Sequence, residues 1–252
     1  MIFRCSTLGG LMTGVIGLSP RQKETLDKYR NSSKPLTDRQ TIEYGQLLEK
    51  EQSRDISATA KALVLENYLA AKYGYRKEVY TEAMQKGKML EGDAIALLSE
   101  VKGKFLKKNK DRLKNDFIIG ECDINHGHLI TDIKVPEDFV TFASVTDIDK
   151  SYYWQGQGYM WLWGAVNYEI TYVLMPDPEY IMYAKINRLK YLLTGDELDA
   201  ATNQIISNNA VINTIPAENR IKTFSFDYNP DDIELLKEQI IRAREYASKL
   251  II

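Results

Sequence analysis

Two short segments rich in β-formers, residues 117–123 (FIIGECD) and 129–135 (LITDIKV), flank a turn at Gly127, and this charged hairpin limits the fold more than any other stretch of the chain. A two-residue type II′ turn takes glycine first, so Gly127 and His128 as its central pair put residues whose numbers sum to 255 opposite each other. Asp123 then faces Asp132 and Glu121 faces Lys134, all on one side of the ribbon. The other side carries Ile118, Gly120, Cys122 and Ile124 against Leu129, Thr131, Ile133 and Val135, and is the expected core face. The register comes from the turn alone, yet it also sorts apolar from charged residues.

Opposed residues have Cβ atoms roughly 5 Å apart, so Asp123 and Asp132 repel unless a cation sits between them. Magnesium suits such a pair, because it takes oxygen ligands and is held by one or two carboxylates plus substrate phosphate. Lys134, on the same side, supplies a point charge able to orient or acidify a water or to stabilise transition-state charge. A solvent-facing ribbon with charged pairs fits the hairpin equally well, since charged strand faces are common. His126 and His128 flank Gly127 without a cysteine at zinc spacing, and ordinary turn positions account for them better than a zinc site does.

Helical periodicity marks residues 38–52, 57–73 and 81–101 before the hairpin. After it come a helix at 151–165, a strand at 168–175, a helix near 179–193, an unassigned stretch at 196–207, a strand at 220–227 and a last helix. That last helix has Asn229 as N-cap and Pro230 at its first position. Residues 18–41 are rich in turn formers and read as a surface loop, or a short helix between loops. The order is that of an α/β fold, helices flanking a small mixed sheet, within a single domain over 1–252 whose first 80 residues are helical.

Two cysteines, Cys5 and Cys122, are too few for a disulfide framework and point to a reducing compartment, with the cytoplasm as default. Residues 8–18 hold four glycines and follow only one basic residue, a poor signal-peptide core. No stretch approaches the roughly 20 apolar residues of a membrane span. A net charge of −2 leaves no global basic field, so contact with nucleic acid has to be local. Residues 102–114 (KGKFLKKNKDRLK), with seven Lys/Arg against one acid, are the best candidate, and they also fit a solvated helix end and loop.

Glu91 shares its helix face with Ala94, Ile95 and Leu98. A carboxylate there is costly unless it is paired, binds metal or reaches water at the edge of the stripe. The helix SYYWQGQGYMWLWG sets Tyr152, Gln155 and Tyr159 on one face, and Gln157, Met160, Trp161 and Gly164 on another. Its tryptophans and Met160 read as core; its two glutamines need hydrogen-bond partners that burial alone does not give. Ser6, before Leu8 and Leu11, fits an N-cap or a phosphate site at a helix start equally well.

The ordered set K-G-x-x-L-E around Glu91, I-I-G-E-C-D, D-I-K and Y-x-x-Q-x-Q-x-x-M resembles the YqaJ-type viral recombinases, the phage alkaline exonucleases related to that of bacteriophage lambda within the PD-(D/E)XK superfamily. The opening R-C-S-T-L-G-G-L-M-T is similar to that group's phosphate-end motif, and the resemblance spans about residues 4–175. It implies a restriction-endonuclease-like core over 81–252 and a Mg²⁺-dependent nuclease, with Mn²⁺ as a substitute, that degrades linear duplex DNA from its ends, 5′ to 3′. It also implies metal binding by Glu91, Asp123 and Asp132, catalysis with Lys134, and DNA or phosphate contact by Ser6, Tyr152, Gln155 and Gln157. The partners it implies are DNA ends, a single-strand annealing protein in phage-type recombination, and further copies of the chain in a ring trimer. Cys122 stands where relatives often carry proline, and Glu121 where they carry a small or polar residue. Whether Glu121 is a fourth ligand or pairs with Lys134 is open at this level. The rival readings are a structure-selective or site-specific endonuclease on the same core, and an inactive DNA-binding relative.

Overall fold

The computed structural model of the chain describes residues 1–14, 18, 20–52 and 55–251. Its elements in order are β1 (Phe3–Arg4), a 3₁₀ turn (Cys5–Thr7), α1 (Leu8–Met12), α2 (Pro20–Arg30), α3 (Asp38–Gln52), α4 (Ala58–Tyr73) and α5 (Glu82–Val101). Next come β2 (Leu113–Lys114), β3 (Ile118–Gly120), β4 (Ile124–Asn125), β5 (Leu129–Lys134), α6 (Phe139–Ser144), α7 (Lys150–Trp163) and β6 (Asn167–Val173). The chain closes with α8 (Glu179–Leu189), α9 (Gly195–Thr214), a 3₁₀ turn (Ala217–Arg220), β7 (Ile221–Asp227) and α10 (Pro230–Ser248).

Local chemistry sets most of these limits. Ser57, Thr81, Asp149 and Asn229 cap α4, α5, α7 and α10 by accepting backbone N–H groups at the open first turns. Gly164, in the left-handed region at φ 66°, ends α7 where any side chain would be strained. The polar segment 18–41 holds the helix α2, the second of the two readings its turn formers allowed. Of the segment 8–18, which made a poor signal-peptide core, Leu8–Met12 forms α1 and is mostly buried, and residues 15–17 lie outside those described. Among the described residues, no helix is long and apolar enough to cross a membrane.

One sheet has the order β4-β5-β6-β7, with β5 and β6 parallel and both edges antiparallel. A second, smaller sheet has the order β1-β3-β2. The hairpin register is the expected one: Ile124 pairs with Thr131 and Asn125 with Ile130, and the turn has a positive φ, 82°, at Gly127 and not at His128.

The ladder, however, stops at Ile124, so the strand expected over 117–123 is not one strand. Asp123 turns out of line: its carbonyl accepts the Asn109 amide at 2.7 Å and its carboxylate the Ile133 amide at 2.7 Å. Upstream, β3 pairs with β1 and β2 in the other sheet. Glu121 consequently lies exposed beside the break and does not oppose Lys134.

The break also divides the expected core face. Ile118 and Cys122 join the main core with Ile130, Tyr168, Ile170 and the inner side of α10, whereas Ile124 and Ile133 join a second cluster with Leu90, Ala94, Ile95 and Leu98 of α5. Strand β5 is thus covered on both sides, and the side that carries Asp132 faces α7 rather than solvent.

Candidate active site

Helix α5 lies against the odd-numbered side of β5 and β6, where Ile133 and Val173 meet Leu90 and Ala94. That placement leaves Glu91 half-buried at the edge of the apolar stripe, facing the end of the hairpin. Lys108 Nζ lies 2.8 Å from its Oε2. Lys108 belongs to the basic run and bridges antiparallel to Ile124, so the loop following α5 is tied to β4 directly after Asp123.

Asp123, Asp132 and Lys134 come together from the bend before β4 and from β5. Asp132 is 1% exposed at the middle of β5. Its Oδ1 accepts Gln155 Nε2 at 3.2 Å, and its Oδ2 is paired with the Lys134 ammonium. Lys134 lies over the Tyr152 ring at 4.7 Å from its centre. Burial opposes the charge on Lys134, but the carboxylates of Asp132 and Asp123 more than offset this and hold its pKa above the ordinary lysine value. The Asp123 carboxyl is pushed up to about 8, by burial first and by the Asp132 charge second. Two carboxylates this close cannot both ionise in a dry site without more positive charge than one lysine supplies.

Helix α7 closes the site from above. Gln155, on its buried face, also reaches the Tyr159 hydroxyl at 3.4 Å, and burial followed by the Asp132 charge keeps that phenol protonated. Together these elements bound a cleft of about 600 Å³ lined by Glu91, Asp123, Asp132, Lys134, Tyr152 and Gln155, among others.

Two of the expected DNA-binding residues are elsewhere. Gln157 is fully buried: Nε2 donates to Asp227 O at 2.8 Å and Oε1 accepts the Asn229 amide at 2.9 Å. It staples the end of β7 to the start of α10 and has no free group for DNA. Ser6 is exposed on the 3₁₀ turn and does not line the cleft. The motif around it serves packing: Cys5 and Leu8 fill the space beside Gly158 of α7, and Gly9 lies against the Ser151 backbone.

Sequence reasoning missed Lys108 as the partner of Glu91, and the pairing is legible only once the loop is folded back onto Ile124. Lys86, the first residue of the K-G-x-x-L-E motif, does not line the cleft: it is 1% exposed and binds Asp177 at 2.8 Å and the Glu137 carbonyl at 2.8 Å. His126 and His128 are turn residues, with His126 N–H donating to Leu129 O and His128 O accepting from Val166 and Asn167. Among the described residues, no three His, Cys, Asp or Glu side chains converge closely enough to enclose a metal ion. The donor set nonetheless suits a hard cation: three carboxylates line one cleft, and one of the two aspartates is raised in pKa by burial and by its neighbour's charge.

Comparison of the whole structure with solved ones finds a phage-related exonuclease from Haemophilus somnus 129PT at TM-score 0.70 and 27% identity, over 99% of this chain and 94% of that one. The alkaline exonuclease LHK-Exo from Laribacter hongkongensis matches at TM-score 0.53 and 12% identity, over 76% and 81% of the two chains. Its complex with dAMP matches at 0.52 and 14%, over 77% and 82%. No family model and no curated protein matches the chain. The α/β architecture is that of PD-(D/E)XK exonucleases, as the resemblance to the lambda-exonuclease-like family implied.

Proposed function

We propose that this chain, on an exonuclease fold, is a metal-dependent nuclease that hydrolyses linear double-stranded DNA from its ends, 5′ to 3′. The observation that carries the reading is the meeting of Glu91 from α5 with Asp123, Asp132 and Lys134 from the hairpin in one cleft beneath Gln155 of α7. The neighbour complex with dAMP supports a nucleotide as occupant of such a cleft. The 27% identity with a phage-related exonuclease along nearly the whole chain supports the same chemistry. A role in phage-type recombination, with a single-strand annealing protein as partner and a ring of copies as assembly, belongs to the proposal through the resemblance of the motifs alone.

Glu91, Asp123 and Asp132 would hold Mg²⁺, or Mn²⁺ in its stead. A divalent ion bound there supplies charge for the scissile phosphate and lowers the pKa of an attacking water. The protein's own part is to keep both aspartates desolvated and near enough to feel each other's charge. The Ile133 amide fixes the Asp123 carboxylate and Gln155 fixes Asp132 Oδ1. Lys134, held protonated beside them, stabilises negative charge on the phosphate as the bond to the leaving oxygen breaks. Tyr152 carries the Lys134 ammonium on its ring face and lines the cleft, where it would contact the DNA terminus. Ser6 remains available to an outer phosphate by virtue of its exposure alone.

The test is degradation of linear duplex DNA bearing 5′ phosphates, with Mg²⁺ or EDTA, beside a circular plasmid. Wild type should consume only the linear substrate and only with metal. Lys134→Ala should be slower by about 10²-fold or more, the scale for losing one preorganised charge-stabilising group. Cutting of the circle would replace the end-dependent reading with an endonuclease on the same site. No cleavage with any divalent ion would end the nuclease reading.

A further inference from the structure

The loop after α5 is an exposed basic ribbon that the cleft does not use. Lys104, Lys107, Lys110, Arg112 and Lys114 project into solvent, and among the described residues none of them has an ion pair. The loop is nonetheless fixed to the site at one point: Lys108 bridges Ile124 and binds Glu91, and Asn109 takes the Asp123 carbonyl through its amide and the Cys122 carbonyl through Nδ2, at 2.7 and 3.0 Å. At its near end, Lys104 and Lys102 are close enough to the hairpin turn for their charge to lower the His126 pKa, after the effect of burial. Positive charge therefore runs from the Glu91 rim to the hairpin tip. Asp123 and His126 are three extended residues apart, about 10 Å. That spans about three phosphates of one DNA strand, at roughly 3.4 Å of axis per charge.

We propose that loop 104–114 is the track on which the backbone of duplex DNA rests as it enters the cleft. The proposal rests on the nuclease reading above and assigns the DNA backbone to the basic run whose charge suggested a local contact with nucleic acid. A protein of net charge −2 needs such a local field to hold a polyanion. Duplex is the occupant rather than single strand, because single-strand platforms interleave several stacking aromatics with their basic residues. This loop has one, Phe105, at 87% exposure.

The test uses the full chain with Lys104, Lys107, Lys110 and Arg112 changed to Ala, leaving Lys108 in place. Binding of a short 5′-phosphorylated duplex and of the matching single strand is measured in EDTA between about 50 and 200 mM salt. The variant should melt like wild type, bind duplex about tenfold or more weakly at low salt, and show a log–log salt slope shallower by about 0.9 for each phosphate it no longer neutralises. Unchanged duplex affinity and slope would overturn the track, as would a weakening confined to the single strand. Failure of the nuclease reading shows separately, as wild type that cuts nothing with Mg²⁺, and leaves the binding comparison to decide the track.

Discussion

At the scale of single residues, the chemistry centres on how Asp123 and Asp132 share a site with too little positive charge. An unfolded aspartate titrates near pH 3.9, and burial with the neighbouring carboxylate pushes Asp123 up to about 8. The folded chain thus holds this proton more tightly than the unfolded chain does. Its stabilisation is complete below about pH 4 and is lost as the pH rises through about 8. In metal-free buffer, wild type should lose melting temperature relative to Asp123→Asn as the pH goes from about 5 to about 8, because the amide does not titrate. Parallel curves for the two proteins would mean that Asp123 is ionised in the apo fold and that its burial is not felt. Gln155 and Gln157 make the complementary point: two amides on one helix, one turned to the carboxylate and the other locked between two backbone groups.

At the scale of elements, helix α1 is short and gains its place by close approach to α7. A Cβ on Gly9 would collide with the Ser151 backbone, which cannot yield as a flexible side chain would. Its neighbour Gly10 has only Leu63 Cδ2, at 3.9 Å, within reach of such a Cβ. Gly9→Ala should therefore cost about 1–3 kcal/mol in chemical denaturation, the usual range for overpacking. Gly10→Ala should be neutral, or stabilising by about 0.5–1 kcal/mol through helix propensity. Equal effects at the two positions would show that α1 does not press on α7. The same glycine pair lies within the N-terminal motif that suggested a phosphate site, so part of that motif's character is packing.

At the scale of the whole molecule, an ionic network with a buried centre at Lys86 joins α5 to the α8–α9 arm. Lys86 binds Asp177 at 2.8 Å, Lys185 binds Asp177 at 2.6 Å and Glu82 at 3.4 Å, and Arg188 closes on Glu82 at 2.7 Å. Removing the deepest member leaves charge buried without compensation. Lys86→Met should cost about 3–5 kcal/mol on that ground, read from denaturant titration, and loosen α5 against α8. A cost below about 1 kcal/mol would mean that Lys185 alone neutralises Asp177. The network touches the cleft at Glu137, which lines it and whose carbonyl Lys86 holds.

Periodicity, caps and the turn glycine are local signals, and they determined most of the elements. The helices at 38–52 and 58–73 and the strand at 221–227 lie within a residue or two of where the pattern put them. The hairpin register followed from Gly127 for the same reason, since a two-residue turn admits one pairing. The sequence by itself also grouped Glu91, Asp123, Asp132 and Lys134 through the resemblance of their motifs. Tertiary structure alone decided what long-range pairing controls: the break at 121–123, where β3 leaves for β1, and the covering of both sides of β5, which turned an apparently solvent-facing aspartate into a buried one. It decided, too, that Lys108 reaches Glu91 and Lys86 does not reach the cleft. Spacing along a chain tells which residues share a face, but the partner that covers that face comes from segments tens of residues away, and their approach leaves no periodic trace.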